Sequence, residues 1–188
     1  MSGKTRHVLM DVSRTVKRVG RRHTGIDRVE HAWLCHLRDY GGQVLGIARF
    51  PWGYALYDRS GLASLTDGKT PNPKRRASTW GLNRLLQTMS EDWLYLNLGH
   101  SNLTDRMVTA LRRAGIGKIV AMVHDAIPLD HPEWQKPETL PRFRSFMAQV
   151  ARADTILCPS AYSCSRIRHH LGPQKTPVQV HLGLTAWP

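Results

Sequence analysis

Short apolar runs and helical apolar stripes alternate along this chain. The apolar runs predict buried β-strands at residues 7–12, 43–48, 54–57, 94–98, 118–123, 155–158 and 178–181. Between several of them, apolar residues recur at the intervals that place them on one face of a helix. The longest such stripe consists of Ile26, Val29, Trp33, Leu34, Leu37 and Tyr40. Further helices are predicted at about residues 80–89, 104–114, 140–151 and 160–171.

Three stretches show neither pattern and predict loops. Residues 14–25 form a basic, glycine-containing segment between the first strand and the first helix. Residues 58–79 contain glycines, prolines and the basic run Lys74–Arg76, which is typical of a surface loop. Residues 124–139 contain three prolines.

The order of the predicted elements indicates the fold class. Strands that alternate with helices predict an α/β fold with a mostly parallel sheet and helices on both faces. Continuous apolar strands suit a sheet that is covered on both faces. We expect a single domain over residues 1–188. Ligands of such sheets bind at the carboxyl ends of the strands, so the residues after each strand are the candidates for chemistry.

The charge balance changes the expected partners. The chain has 27 Lys and Arg against 14 Asp and Glu, a formal net charge of +13. Such a field attracts polyanions: nucleic acid, anionic lipid headgroups or phosphorylated substrates. An apolar content of 41% excludes collagen-like and fully disordered chains. The three cysteines lack the spacing of a disulfide framework and indicate a reducing, cytoplasmic setting.

The loop after the first strand has glycines at P-loop spacing, Gly20 and Gly25. Ile26 and Asp27 stand where that motif requires Lys and Ser or Thr, so a P-loop is not expected. Two interpretations of Gly25 remain: it permits a tight turn, or it opens a helix start to an anion. Arg28 and Arg22 add positive charge in favour of the anion.

His124 and Asp125 directly follow the most apolar strand. A histidine there would project into the cleft beyond the sheet, where it could bind a sugar hydroxyl, donate a proton or stabilise developing charge. The alternative is a structural histidine packed beneath the next loop. Asp125, Asp130 and His131 are of metal-ligand type, but no Cys or His pair has structural-zinc spacing, and no metal is expected.

Cys158 and Ser160 follow another predicted strand. The sequence shows no base that would activate Cys158, so a buried structural cysteine is favoured over a nucleophile. Ser160 is expected to cap the next helix.

The segments at the strand ends, taken in their order along the chain, resemble the N-terminal half of the group 1 glycosyltransferases. The segments that resemble this family are Leu9–Arg14, Thr24–Glu30, Val123–Leu129 with His131–Glu133, Ala153–Ser160 and His181–Gly183. The third matches the family's HD-x-I-P-L…P-E segment, and the fourth its A-D-x-I-x-x-x-S strand and cap. The Thr-Gly-Ile and His-Asp-x-Ile-Pro motifs together are the more specific part of the match.

The resemblance implies a retaining enzyme of the GT-B architecture, in which two Rossmann-like domains enclose the active site. This chain would be the N-terminal, acceptor-side domain, with His124 and Asp125 as catalytic residues. The residues implied to contact substrate or acceptor are Gly25, Ile26, Arg28, His100 and Ser160. The nucleotide-sugar would be a co-substrate held mainly by a C-terminal domain with a Glu-x7-Glu segment, and no cofactor or metal is implied. Residues 1–188 contain no such domain, which predicts a fragment or a split enzyme that is inactive alone.

The expected partners follow from this interpretation. They are a nucleotide-sugar donor, a glycan or lipid-linked acceptor and a chain that carries the C-terminal half. The basic cluster between Lys4 and Arg28 also predicts weak association with anionic membranes, peripheral at the inner face. A different class of function remains as the alternative: a non-catalytic basic module that binds nucleic acid or another polyanion. No recognition-helix or RNA-binding pattern is present, so nucleic acid is the less expected partner.

Overall fold

The computed structural model describes residues 6–182. Its strands are β1 (His7–Asp11), β2 (Val44–Phe50), β3 (Gly53–Tyr57), β4 (Arg75–Ser78), β5 (Trp93–Asn97), β6 (Lys118–Met122), β7 (Thr155–Cys158) and β8 (Val178–Gln179). Its helices are α1 (Ser13–Lys17), α2 (Gly25–Arg38), α3 (Arg59–Thr66), α4 (Leu82–Leu86), α5 (Asp105–Arg113), α6 (Ile127–Asp130), α7 (Thr139–Val150) and α8 (Ala161–Leu171). Two 3-10 turns occupy Thr79–Gly81 and Pro132–Trp134.

All eight strands belong to one sheet with the order β4-β3-β2-β1-β5-β6-β7-β8. The pairs from β2 through β1 to β8 are parallel, whereas β2–β3 and β3–β4 are antiparallel. The predicted α/β class, with a mostly parallel sheet, is confirmed.

Helices cover both faces of this sheet, as the sequence predicts. On one face, Val29 and Leu34 of α2 and Leu62 of α3 pack together with Val8 and Met10 of β1. On the other face, side chains of α4, α5, α7 and α8 pack against Leu9 and Ile119. Alternate residues of β1 therefore enter opposite cores, which is why its apolar run is continuous.

Residues 58–79 differ from the prediction of a surface loop. They form α3 and the edge strand β4, joined by a turn at Gly68 with φ of 69°. The Asp58 side chain accepts from the Gly61 backbone at 3.1 Å and caps α3, while Leu62 and Leu65 are buried. The glycines and prolines of this stretch predict a loop. The Asp58 cap and the buried Leu62 and Leu65 nevertheless stabilise a helix there.

Short helices also occupy parts of the other two predicted loops. Helix α1 begins at Ser13 and occupies the first part of residues 14–25, and α6 with the second 3-10 turn lies within residues 124–139. Within residues 6–182, no helix has both the length and the apolar character required to cross a membrane.

Arg59 fixes the start of α3 to the end of α2. Its guanidinium donates to the backbone oxygens of Tyr40 and Gly42, each at 2.8 Å, and to that of Arg38. The carbonyl groups at a helix end otherwise lack partners, so this side chain closes α2.

We therefore expect Arg59→Ala to lower the free energy of unfolding by about 1–3 kcal/mol, because charged hydrogen bonds are lost. Urea unfolding monitored by circular dichroism measures this loss. Arg84→Ala, at an exposed position of α4, is the matched control. Equal stability of the two variants would contradict the role of Arg59.

Candidate functional site at the carboxyl edge of the sheet

The topology places a crevice beyond the carboxyl ends of β1 and β5. From β1 the chain continues to β2 on one side, and it later returns to β5 on the other side. Helices α2 and α3 lie on one face, and α5, α7 and α8 lie on the other. Such a switch point is where open parallel sheets bind ligands. Asp11 ends β1 and Asn97 ends β5, so both lie at this point.

The buried carboxylate of Asp11 is the centre of a hydrogen-bond network. One oxygen accepts from Asn102 Nδ2 at 2.6 Å and from the Tyr95 hydroxyl at 3.1 Å. The other accepts from the Ser13 backbone at 3.1 Å and from Ser101 Oγ at 3.4 Å. Burial raises the pKa of Asp11 to about 6, although these hydrogen bonds act to lower it. Asp11 thus joins β1 to the loop after β5.

That loop contains strained backbone. His100 and Asn102 have φ angles of 56° and 61°, in the left-handed region that non-glycine residues rarely adopt. Asn97 Nδ2 holds the loop by donating to the Ser101 carbonyl at 2.6 Å. Within residues 6–182, the buried Oδ1 atoms of Asn97 and Asn102 have no hydrogen-bond partner. Strain together with unsatisfied buried acceptors is typical of a functional site.

Glu30 of α2 is a buried acid beside this loop. Its Oε2 accepts from Thr15 Oγ1 at 3.0 Å, while Oε1 has no partner within the described chain. Burial, and then the neighbouring charge of Asp11, raise the pKa of Glu30 to about 8. Glu30 is therefore mainly a neutral acid near pH 7. A Cβ on Gly99 would overlap this Oε1, so a larger residue at position 99 requires the Glu30 side chain to move.

A second carboxylate, Asp27, fixes the start of α2. It accepts from Arg14 Nε at 2.7 Å, from Arg18 Nε at 2.8 Å and from the Thr24 backbone at 2.7 Å. Burial acts to raise the pKa of Asp27, but the bonds from Thr24 and Arg14 outweigh it and lower the pKa to about 2. Arg14 and Arg18 are thus paired with Asp27 rather than left for an external anion.

The start of α2 distinguishes the two interpretations of Gly25. Gly25 is exposed, its φ lies outside the left-handed region, and nothing lies within 4 Å of a Cβ built on it. Gly20, with φ of 75°, is the residue that a turn requires. The backbone at Gly25 is open to solvent, Ile26 is half-buried and Arg28 is exposed. The anion interpretation stays a prediction, and the tight-turn interpretation is wrong.

His124 follows β6 and is held by its backbone and its ring. Its backbone N–H donates to His100 Nε2 at 3.0 Å, and its own Nε2 donates to the Leu98 carbonyl at 2.8 Å. Burial lowers the pKa of His124, which favours the neutral ring. With its proton on Nε2, the neutral ring has an unprotonated Nδ1. His124 can therefore accept a hydrogen bond from a ligand hydroxyl, whereas donation of a proton requires the charged ring.

His100 supports His124 and does not present a free Nε2 to a ligand. Its ring lies 4.9 Å from that of His124 and 4.7 Å from that of Phe146, measured between centroids. Burial, followed by the interaction with His124, lowers the pKa of His100 to about 3. The neutral ring of His100 positions His124, and its predicted contact with substrate gains no support from this geometry.

Two further predicted residues have local hydrogen-bond roles. The Asp125 side chain accepts from the Ile127 backbone at 3.1 Å. Ser160 Oγ accepts from the Ser163 backbone at 3.1 Å, which confirms the predicted cap of α8. Ser163 Oγ donates to the His124 carbonyl at 3.0 Å, so this cap also fixes the backbone of His124.

Cys158 is fully buried, and burial raises the pKa of its thiol to about 12. This confirms the structural interpretation of Cys158, since a nucleophile needs the thiolate.

The structure thus groups the predicted residues in two places. His100, His124 and Ser160 are joined through hydrogen bonds, directly or through Ser163, at the ends of β5, β6 and β7. Gly25, Ile26 and Arg28 lie at the start of α2. Arg14 interacts with residues of both groups. It donates to Thr24 Oγ1 at 3.1 Å, and its positive charge adds to the effect of burial in lowering the pKa of His100 and His124. That Gly25 and His124 line one cleft stays a prediction, although β1, β5 and β6 are central neighbours as it requires.

Sequence reasoning missed Asp11, Glu30, Asn97 and Asn102 as site residues. Asp11 and Asn97 each close an apolar strand, and this polar ending is the signal that could have found them. Glu30 follows Val29 on the buried stripe of α2, where a carboxylate is unexpected. Asn102 has no comparable signal, since its role depends on the left-handed loop.

Within residues 6–182, no group of three or more His, Cys, Asp and Glu side chains is arranged to hold a metal ion. A scan against protein-family models found no match, and a search of curated proteins found none. The functional argument therefore depends on the residues and their geometry.

The raised pKa of Glu30 makes the stability of the fold depend on pH. Between about pH 4.5 and about pH 8 the folded chain retains a proton on Glu30 that the unfolded chain releases, so stability falls as pH rises. Asp11 acts in the same direction only up to about pH 6, and His100 acts oppositely only up to about pH 6.5. From pH 7 to pH 8 we expect the Glu30 contribution to fall by at most about 1.4 kcal/mol per pH unit.

Glu30→Gln should remove this slope, and urea unfolding across that interval measures it. Glu91→Gln, at an exposed carboxylate, should keep the wild-type slope. A wild-type slope in Glu30→Gln would show that Glu30 does not retain the proton.

The close approach of Glu30 to Gly99 gives a separate prediction. Gly99→Ala should lower the free energy of unfolding by about 1–3 kcal/mol, because its methyl group overlaps a buried carboxyl group. Gly41→Ala is the matched control, since nothing lies within 4 Å of the added Cβ. In a Glu30→Ala background the cost of Gly99→Ala should shrink, and purely additive losses would argue against this contact.

Proposed function

We propose that this chain is the acceptor-side domain of a retaining glycosyltransferase. It would act in the transfer of a sugar from a nucleotide-sugar to a glycan or lipid-linked acceptor. The observation that carries the proposal is His124, held at the end of a central parallel strand with an unprotonated Nδ1. The switch-point crevice lies at the end of the neighbouring strand β5, and within residues 6–182 the buried Oδ1 atoms of Asn97 and Asn102 there have no hydrogen-bond partner.

The chemistry assigned to His124 is positioning. A neutral imidazole that accepts from a sugar hydroxyl fixes the orientation of that sugar, and orientation contributes strongly to group transfer. Its backbone is fixed through His100 and Ser163, so little reorganisation is needed on binding. Asp125, next along the chain, would act with it.

The start of α2 would face the anionic part of the substrates. The backbone of Gly25 is open, Arg28 is exposed, and a helix N-terminus favours a phosphate. The nucleotide of the donor would be held mainly by a second α/β domain, on this polypeptide or on a partner chain. No cofactor or metal takes part in the proposal, since the nucleotide-sugar is a co-substrate.

The proposed location is the cytoplasm, with peripheral binding to the inner face of an anionic membrane. A lipid-linked acceptor would be reached there, and the formal charge of +13 supports such binding. Part of the basic cluster between Lys4 and Arg28 lies outside the described residues.

The second candidate is a non-catalytic module that binds nucleic acid or another polyanion. The exposed basic residues Lys74, Arg75 and Arg76 on and beside the edge strand favour it. Salt-dependent RNA binding that is lost on neutralising them, without sugar transfer, would select this candidate.

Sugar transfer tests the first candidate. The chain, together with the domain that binds the donor, is incubated with labelled nucleotide-sugars and candidate acceptors. We expect His124→Ala to lower turnover by about 100-fold, with a much smaller effect on unfolding. His169→Ala, at an exposed position of α8, is the matched control. Unaltered turnover in His124→Ala would refute the assigned role, and no transfer or donor hydrolysis with any donor would refute the proposal.

A further inference from the structure

An apolar tip projects from the hairpin between β2 and β3. Arg49 and Phe50 end β2, and Pro51 and Trp52 form the turn. Pro51 is exposed, and Trp52 is 49% exposed. Phe50 stacks on the Trp52 indole with centroids 4.8 Å apart, and the Arg76 guanidinium lies over the same indole at 5.7 Å. The hairpin therefore presents Pro51 and Trp52 to solvent, with half-buried Phe50 beneath the indole.

A second exposed tryptophan, Trp80, follows the edge strand β4. It is 85% exposed, and the Arg106 guanidinium lies 4.6 Å from its ring centroid. Arg106 also donates to the Thr79 carbonyl at 3.2 Å, and Ser78 Oγ accepts from the Gly81 backbone at 3.3 Å. These bonds fix the short turn that presents Trp80.

The register brings the two tryptophan turns to the same edge of the sheet. Strand β3 begins at Gly53 and is paired there with Ser78, the last residue of β4. Because β3 runs antiparallel to β2, its start lies at the carboxyl edge of the parallel strands. We call the residues of the two turns with their flanking arginines, Arg49–Trp52, Arg76, Trp80 and Arg106, the tryptophan edge.

The surroundings of the tryptophan edge are positive. Lys17 and Arg113 line depressions that adjoin Arg49 and Trp80. The acidic residue in these linings, Asp105, is paired with Arg152 at 2.6 Å. The depression with Lys17 and Arg49 is also lined by Ser13 and Asn102, so the tryptophan edge is continuous with the switch-point crevice.

We infer that the tryptophan edge is a docking surface for an anionic lipid bilayer. Indole groups prefer the interface between water and acyl chains, and the arginines beside them meet lipid phosphates there. The Phe50–Trp52 tip does not favour a nucleic acid, because Phe50 and Arg76 already contact the Trp52 ring. A base that stacked on Trp52 would have to displace one of them.

The inference rests on the membrane association included in the proposed function, and it is independent of sugar transfer. The proposed function includes only a general electrostatic attraction to the membrane, whereas this inference assigns the contact to one defined surface. It also orients the chain, because a bilayer at the tryptophan edge lies beside the switch-point crevice. A lipid-linked acceptor would then enter the crevice from the bilayer surface.

Co-sedimentation of the full chain with vesicles tests the inference. The vesicles are phosphatidylcholine alone and phosphatidylcholine mixed with phosphatidylserine. Wild type should bind the mixed vesicles and release them at high salt. Arg76→Ala and Arg106→Ala should each weaken binding by about fivefold, and Trp52→Ala with Trp80→Ala should weaken it at least as much.

Exposed residues elsewhere provide the matched controls. Trp134→Ala (68% exposed) and Arg168→Ala on α8 should bind as wild type does. Acyl-chain bromine on the same lipids should quench wild-type fluorescence, and Trp52→Phe with Trp80→Phe should lose most of that quenching. This readout remains available if an alanine variant proves unstable.

Other outcomes overturn the inference. In one of them, the tryptophan-edge variants bind as wild type does while Arg21→Ala with Arg22→Ala abolishes binding. That result would assign membrane binding to the N-terminal basic cluster instead. Equal losses in the control variants would show that the surface is not specific. Single-stranded RNA that displaces the vesicles and loses affinity in the same variants would make this a nucleic-acid surface. Sugar transfer to a water-soluble acceptor is measured separately, so failure of docking and failure of the transferase proposal are distinguishable.

Discussion

The candidate site depends on the hydrogen bonds of the buried Asp11 carboxylate. Its hydrogen bonds tie the last residue of β1 to the strained loop after β5. Two residues of that loop have left-handed backbone, a conformation that persists only where surrounding contacts enforce it. The loop also contains Gly99, against which Glu30 packs, and His100, which holds the backbone of His124. The hydrogen bonds of Asp11 thus connect the switch point to His124, which follows β6.

The electrostatics of the crevice differ from those of the whole chain. Glu30, His100 and His124 are mainly neutral near pH 7, because burial opposes their charged forms. Arg14 and Arg18 both pair with the carboxylate of Asp27. The formal excess of positive charge therefore belongs largely to the exposed surface. This division is consistent with the proposed binding of neutral sugar hydroxyls inside the crevice and of anionic groups at its rim.

The secondary structure was largely predictable from the sequence. Each predicted strand and each long predicted helix is present, with ends that differ by a few residues. The reason is that both faces of the sheet are covered, so the strands are continuous apolar runs and the helices have one clear apolar stripe. Residues 58–79 were wrongly predicted as a loop, since turn-forming residues there surround a short capped helix and an exposed edge strand.

The sequence by itself determined which residues end the strands, and therefore that His124 and Ser160 lie at the carboxyl edge. Only the tertiary structure decided what those residues do. The positioning role of His100 depends on a backbone N–H that lies 24 residues further along the chain. The neutral state of Glu30 depends on burial beside Gly99, which is far from it in sequence. Local pattern specifies strands and helices, whereas ionisation and hydrogen bonding depend on neighbours that only the packed sheet brings together.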